Sequence, residues 1–217
     1  MSRRIRNIVI SLLLLITSIV YTMLIGVIDV QPVGANSTDI GFSTINTFFA
    51  QKIGSNTLCY EITKYLGIIP IVLVVVYAFI GLRQLIKRKS FKKVDMELYA
   101  LGGLFAAVAG VYLFFEKFII NYRPILMDGV LEASYPSSHT MLTMCVCGGV
   151  ILTNKQIFDS KFTKVMNILL NVLIVGMIIG RFISGVHWFT DIIGGILISS
   201  TLLMIFYTLL NIIKYED

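Results

Sequence analysis

Long apolar stretches, broken only by short polar segments, run through this chain. The first, Ile8 to Ile28, contains no charged residue. At 1.5 Å per residue a helix of that length reaches about 31 Å, enough to cross the hydrocarbon core of a bilayer. Comparable stretches cover 66–82, 98–115, 139–153, 165–183 and 188–213. Such runs predict membrane spans rather than half-buried surface helices. The expected fold is an all-α integral membrane protein, a six-transmembrane helix bundle, with residues 1–217 as one membrane-embedded domain. Arg3, Arg4 and Arg6 precede the first run, and Val33 and Ala35 give a weak cleavage pattern. The run is too long for a secretory h-region, which predicts an uncleaved anchor.

Residues 29–65 read as the first outer loop, rich in Gly, Ser, Thr and Asn. Within it Ile45, Phe48, Phe49 and Ile53 share one helical face. That pattern fits either an interfacial helix lying on the bilayer or a loop packed over the bundle. Gly176 and Gly180 make a small-xxx-small pair that suits close helix packing. No internal repeat and no low-complexity segment is found.

Composition agrees: 57% of residues are apolar and 14% charged, against roughly 25% charged in soluble domains. The net charge of +6 raises nucleic acid as a partner. Yet the basic residues sit in short blocks between spans, so membrane orientation explains them and no nucleic-acid partner is expected. Thirteen fall on one side: Arg3, Arg4 and Arg6, six between Arg83 and Lys93, three in 155–164, and Lys214. The other side carries five: Lys52, Lys64, Lys117, Arg123 and Arg181. The positive-inside rule then puts both termini in the cytoplasm, with 116–138 and 184–187 at the outer face of a multi-pass cell-membrane protein. The three cysteines, Cys59, Cys145 and Cys147, are too few and too scattered for a disulfide framework.

Ionisable residues at membrane depth are costly and point to function. The only histidines, His139 and His187, fall at outer ends of spans, near Arg123, Arg181 and Asp191. If His187 starts a helix, Asp191 lies four residues on and shares its face. Its carboxylate can accept one imidazole N–H and leave the other nitrogen free to attack, a triad logic with histidine as nucleophile. Tyr135-Pro136-Ser137-Ser138-His139 reads as a helix start, whose free N–H groups and positive dipole end suit phosphate. His139 would then stand beside the bound anion, placed to protonate a leaving oxygen. Arg123, in Asn121-Tyr122-Arg123-Pro124, can snorkel to headgroups or join Arg181 as a forked phosphate donor.

Together these segments resemble the three-part signature of the type 2 phosphatidic acid phosphatase (lipid phosphate phosphatase) superfamily, in its bacterial membrane branch. The resemblance rests on Arg123-Pro124, on Pro136-Ser137-Ser138-His139, and on Arg181 with five residues to His187 and three more to Asp191. It implies that His187 takes the phosphoryl group, Asp191 orients it and His139 protonates the leaving group. Arg123, Arg181, Ser137 and Ser138 would bind phosphate. Three positions depart from the family pattern: Ser138 stands for its glycine, Gly180 for its serine, and Glu116 for the lysine that opens its first motif. Lys117 is adjacent and is a candidate substitute, although one residue is a rotation of about 100° on a helix.

The implied activity is metal-independent hydrolysis of a lipid phosphate or polyprenyl diphosphate through a phosphohistidine, at the outer membrane face. No cofactor is expected, because fixed cations neutralise the phosphate. A zinc site built from His139, His187 and Asp191 is the metal-dependent alternative, and it leaves both arginines unexplained. The nearest rival is a lipid phosphotransferase using the same intermediate. A vanadate-dependent haloperoxidase and a non-catalytic transporter or structural protein are the others.

Overall fold

The computed structural model describes residues 2–157 and 160–216, apart from the side chains of 155, 156 and 214–216. The Lys155 and Lys214 side chains, which enter the charge bias, therefore lie outside the described residues. The helices in chain order are α1 (Arg3–Ile25), α2 (Ser43–Ile53), α3 (Thr57–Leu66), α4 (Ile68–Arg88), α5 (Met96–Lys117), α6 (Ser138–Ile157), α7 (Lys161–Ile183) and α8 (Phe189–Glu216). Among the described residues there is no strand, only isolated bridges.

Local chemistry sets several helix starts. The Ser2 hydroxyl accepts the Ile5 N–H, the Asn56 side chain that of Cys59, and the Ser160 hydroxyl that of Thr163. Each satisfies one donor that a helix start leaves without an intrahelical partner. Gly67 separates α3 from α4, and Pro70 sits in the first turn of α4, where a missing N–H costs nothing.

Helices α6 and α8 form the centre: α8 packs against α1, α5 and α6, while α6 packs against α4, α5, α7 and α8. Cys145, Val146, Cys147 and Val150 of α6 are fully buried. The outer helices instead leave apolar side chains open, such as Leu13, Val75, Leu113 and Leu169. In water such an exterior would be a liability; in lipid it is the required surface. Hydroxyl pairs tie α1 to α8 along this interface, Ser11 to Thr208 at 3.2 Å and Ser18 to Thr201 at 2.8 Å. They satisfy polar groups that lipid would leave bare.

Among the described residues, five segments are by length and composition able to cross a membrane: Arg3–Ile25, Thr57–Arg88, Met96–Lys117, Lys161–Ile183 and Phe189–Ile213. The stretch read as the fourth span is α6, whose side chains are described without a break as far as Asn154. Within it Thr143, Thr153 and Asn154 are fully buried. A helix enclosed by four neighbours has little need of an apolar exterior.

The 29–65 segment is more ordered than a loop. Asp29 caps α2, accepting the Thr44 N–H at 2.7 Å and the Ser43 hydroxyl at 2.9 Å, and these bonds hold its carboxyl below the ordinary range. Phe49 turns inward and stacks on Phe189, with centroids 4.5 Å apart, while Phe48 stays exposed. Helix α2 thus packs over the bundle through one part of its apolar face and leaves the rest open. The following α3, unforeseen in the sequence, packs against α7.

The polar stretch between α5 and α6 folds as a short hairpin. Met127 and Val130 exchange backbone hydrogen bonds around Asp128 and Gly129, both at positive φ. That is the left-handed two-residue turn whose twist suits a hairpin, and Asp-Gly favours it. Farther down, the Arg123 N–H donates to the Glu132 carbonyl and the Ser134 N–H to the Asn121 carbonyl. The Trp188 indole pins the hairpin by donating to the Tyr122 carbonyl at 2.8 Å.

Candidate active site

The end of α5, the hairpin, the start of α6 and the turn that carries His187 into α8 meet around a cavity of about 490 Å³. Arg123, Ser134, Ser138, His139 and His187 line it, together with Glu116 and Glu132. Both histidines therefore face one chamber. The turn between α7 and α8 delivers His187 through Gly185, which has a φ of 69°. A Cβ there would run into the Gly54 carbonyl of the preceding loop, so only glycine fits.

The His187 ring is fixed from both ends. Its Nδ1 lies 3.1 Å from the Ser134 carbonyl oxygen, a group that only accepts, so Nδ1 carries the proton. Its Nε2 lies 3.2 Å from Nη2 of Arg181, a group that only donates, so Nε2 is the unprotonated nitrogen and its lone pair accepts from Arg181. Burial, then the positive charges of Arg123 and Arg181, push the imidazole well below its ordinary range. The resting ring is neutral, the form a nucleophile needs.

Asp191 sits differently from expectation. Its Oδ2 is 3.9 Å from His187 Nδ1, too far for a hydrogen bond. The carboxylate instead accepts the Trp188 N–H at 2.9 Å, the Asn121 amide at 3.2 Å and the Ser134 hydroxyl. In the first turn of α8 it caps the Trp188 N–H, and together with the two hairpin donors that bond holds it away from the ring.

Arg181 is fully buried, with Nη1 3.3 Å from the Thr63 hydroxyl and its guanidinium 5.3 Å from the Tyr60 ring centroid. Both partners come from α3. Gly67, at the end of that helix, abuts His139: a Cβ there would lie 2.8 Å from the His139 Cδ2. Tyr60, Thr63 and Gly67 fall three and four residues apart, a one-face helical spacing that was visible in the sequence but hidden by the polar character of the segment. Arg123 Nε stands 3.0 Å from Glu132 Oε2, a partner the sequence did not suggest. Among the described residues, the buried Nη1 of Arg123 and Nδ1 of His139 have no hydrogen-bond partner, which leaves hydrogen-bonding capacity for a ligand.

Two expected phosphate ligands face elsewhere. The Ser137 N–H donates to the Asp191 carbonyl and its hydroxyl to Thr140, so neither is open to the cavity. Lys117 places its ammonium 5.9 Å from the Phe118 ring centroid; Glu116 lines the cavity in its place. The one-residue rotation on α5 is the reason. Among the described residues no three His, Cys, Asp or Glu side chains gather as a metal site requires.

A second, apolar cleft of about 510 Å³ adjoins the chamber. It runs between α4, α5 and α6, lined by Ile68, Ile71, Val74, Phe105, Val108 and Leu142, and reaches Ser138 and His139. These two residues border both spaces.

No curated protein matches the chain. A crystal structure of a transmembrane PAP2-type phosphatidylglycerolphosphate phosphatase from Bacillus subtilis is similar to it, at 19% identity, over 90% of this chain and 93% of that one, with a TM-score of 0.59. At that identity the likeness speaks to the fold: an all-α, multi-pass membrane protein. Residues 70–214 match the PAP2 superfamily, a stretch holding Arg123, His139, Arg181, His187 and Asp191, and this chain belongs to that superfamily.

Proposed function

We propose that this protein hydrolyses a lipid phosphate or lipid diphosphate through a phosphohistidine on His187. The observation that carries this reading is the two-sided clamp on the His187 ring. An accept-only carbonyl at Nδ1 and a donate-only guanidinium at Nε2 fix the tautomer and keep Nε2 unprotonated, its lone pair released for attack when Arg181 turns its donor to the phosphate. In the first step Nε2 attacks phosphorus in line while Arg123, Arg181 and the α6 N-terminus hold the equatorial oxygens. The P–O bond to the leaving group breaks, and His139 supplies that oxygen with a proton. Water then attacks the phosphohistidine, the P–N bond breaks, and His139 takes back a proton.

An amphiphile suits the two spaces: phosphate in the polar chamber, tail in the apolar cleft, and the scissile bond beside His139. Polyprenyl diphosphates, phosphatidic acid and phosphatidylglycerol phosphate all have this form, the last being what the Bacillus subtilis protein's description names. In this reading α1, α4, α5, α6, α7 and α8 cross the membrane as one domain with both termini in the cytoplasm. The charge bias supports that orientation and puts the chamber at the extracytoplasmic face.

The test is a panel of lipid phosphates and diphosphates offered to the pure protein in detergent with chelator present. Inorganic phosphate release from at least one lipid is expected, and His187→Ala should abolish it. Activity retained by that variant would end the proposed mechanism. Labelled phosphate appearing on a second lipid, rather than in water, would make the protein a phosphotransferase.

A further inference from the structure

Asp191 and the His187 ring do not touch, and Ser134 stands between them. Its Oγ lies 3.1 Å from His187 Nδ1 and donates to Asp191 Oδ2. Its carbonyl oxygen lies 3.1 Å from the same ring nitrogen. A hydroxyl has one proton and two lone pairs. With the proton committed to the carboxylate, a lone pair is left for Nδ1–H, so one residue offers the ring two acceptors. The residue itself is held: it is buried, and its N–H donates to the Asn121 carbonyl at 2.9 Å.

The need for such a bridge comes from charge. When Nε2 bonds to phosphorus, the ring keeps its Nδ1 proton and becomes cationic. That charge arises close to two cations, Arg123 on the hairpin and Arg181 on α7, while His139 on α6 gives up its proton in the same step. Glu116 of α5 and Glu132 of the hairpin line the chamber. Asp191 of α8 is the fully buried anion on the Nδ1 side, at 3.9 Å. A carbonyl supplies a fixed dipole, whereas a hydroxyl donating to a carboxylate is polarised by it and binds N–H more strongly.

We infer that Ser134 is a positioning residue of the reaction, its hydroxyl coupling the Asp191 carboxylate to the His187 ring as that ring takes the phosphoryl group. The inference rests on His187 being the nucleophile. The sequence gives no hint of it, since Ser134 lies outside every motif that pointed to the site.

Ser134→Ala, Asp191→Asn and the double variant test the coupling. Ser134→Ala should lower kcat about 10- to 100-fold, the span expected for losing a hydrogen bond to a charged group. Inhibition by inorganic phosphate should stay within about twofold of the parent, because Arg123 and Arg181 bind that ion. In the Asp191→Asn background the same change should cost less than about threefold, since the charge it relays is already gone. Full-sized, additive losses would overturn the inference, as would parental kcat in Ser134→Ala. Loss of phosphate inhibition along with kcat would also overturn it, by making Ser134 a purely structural support. If His187→Ala is inactive while Ser134→Ala matches the parent, the bridge alone is wrong. An active His187→Ala would remove the underlying reading instead.

Discussion

Gly180 and Thr63 form a steric pair that can be taken apart one atom at a time. A Cβ at position 180 would lie 2.5 Å from the Thr63 Cγ2, against an optimum of about 3.5–4.0 Å between carbons. Thr63 cannot turn its methyl away freely. Its hydroxyl donates back to the Cys59 carbonyl at 2.7 Å and the Tyr60 carbonyl at 3.0 Å, and it accepts from Arg181 Nη1 at 3.3 Å. Relieving the clash means straining that rotamer or moving α3 from Arg181. Overpacking costs about 1–3 kcal/mol, and a hydrogen bond to a charged group contributes about 1.5–3 kcal/mol. Gly180→Ala should therefore lower kcat/KM about 10- to 100-fold, since 1.4 kcal/mol is about tenfold.

Helix propensity opposes this, because alanine is better than glycine inside a helix by about 1 kcal/mol. Activity and melting temperature of α7 variants are thus expected to part company. Thr63→Ser removes only the offending methyl and keeps the hydroxyl. The assay is phosphate release from a lipid phosphate in detergent for the parent, both single variants and the double variant. Thr63→Ser alone should stay near the parent, and Gly180→Ala with Thr63→Ser should recover to within about threefold. A fully active Gly180→Ala, or a double variant as impaired as the single, would refute the steric argument. The pair also accounts for glycine at the position where the family pattern has serine: Thr63 fills the space a side chain at 180 would take.

Two further outcomes follow from the chamber's charges. Glu132→Gln should tighten inhibition by inorganic phosphate or vanadate about two- to fivefold, because an exposed carboxylate holding Arg123 contributes up to about 1 kcal/mol; unchanged inhibition constants would show that the ion pair does not compete with the ligand. The depressed His187 also fixes the sign of the pH response. A ring already neutral below its ordinary value should give kcat/KM no acid-side fall centred near 6.5, and such a fall, lost in no other variant, would contradict the buried neutral ring. Because the unfolded chain binds the proton that the folded one refuses, this residue's effect on stability is absent well above that value and turns destabilising as pH falls below it.

The parts legible in the sequence were those with a local signature. Apolar runs announced α1, α4, α5, α7 and α8, and ionisable residues at span ends marked His139, His187, Arg123, Arg181 and Asp191. What escaped was set by contacts between distant segments. Thr63 meets Arg181 across 118 positions of chain, and α3 looked like loop because its inward face is polar. The Ser134 bridge depends on the hairpin register that sets it opposite Asn121, which no motif encodes. Asp191 lies beside the His187 ring, but its oxygens are taken by the Trp188 N–H and by Asn121 and Ser134 of the hairpin, a competition among donors that spacing alone does not reveal. Lys117 failed for a reason the sequence did contain, the rotation between adjacent helical positions.

The shared border at Ser138 and His139 has a consequence for what happens after bond cleavage. Under the proposed chemistry each fragment is born on the side whose medium dissolves it: the inorganic ion among water and arginines, the dephosphorylated amphiphile already in contact with bilayer-like walls. Neither has to pass the other to depart, and the lipid product need never be extracted from the membrane. Turnover is thereby freed from an energetic toll that a single-mouthed pocket would impose on a water-insoluble product.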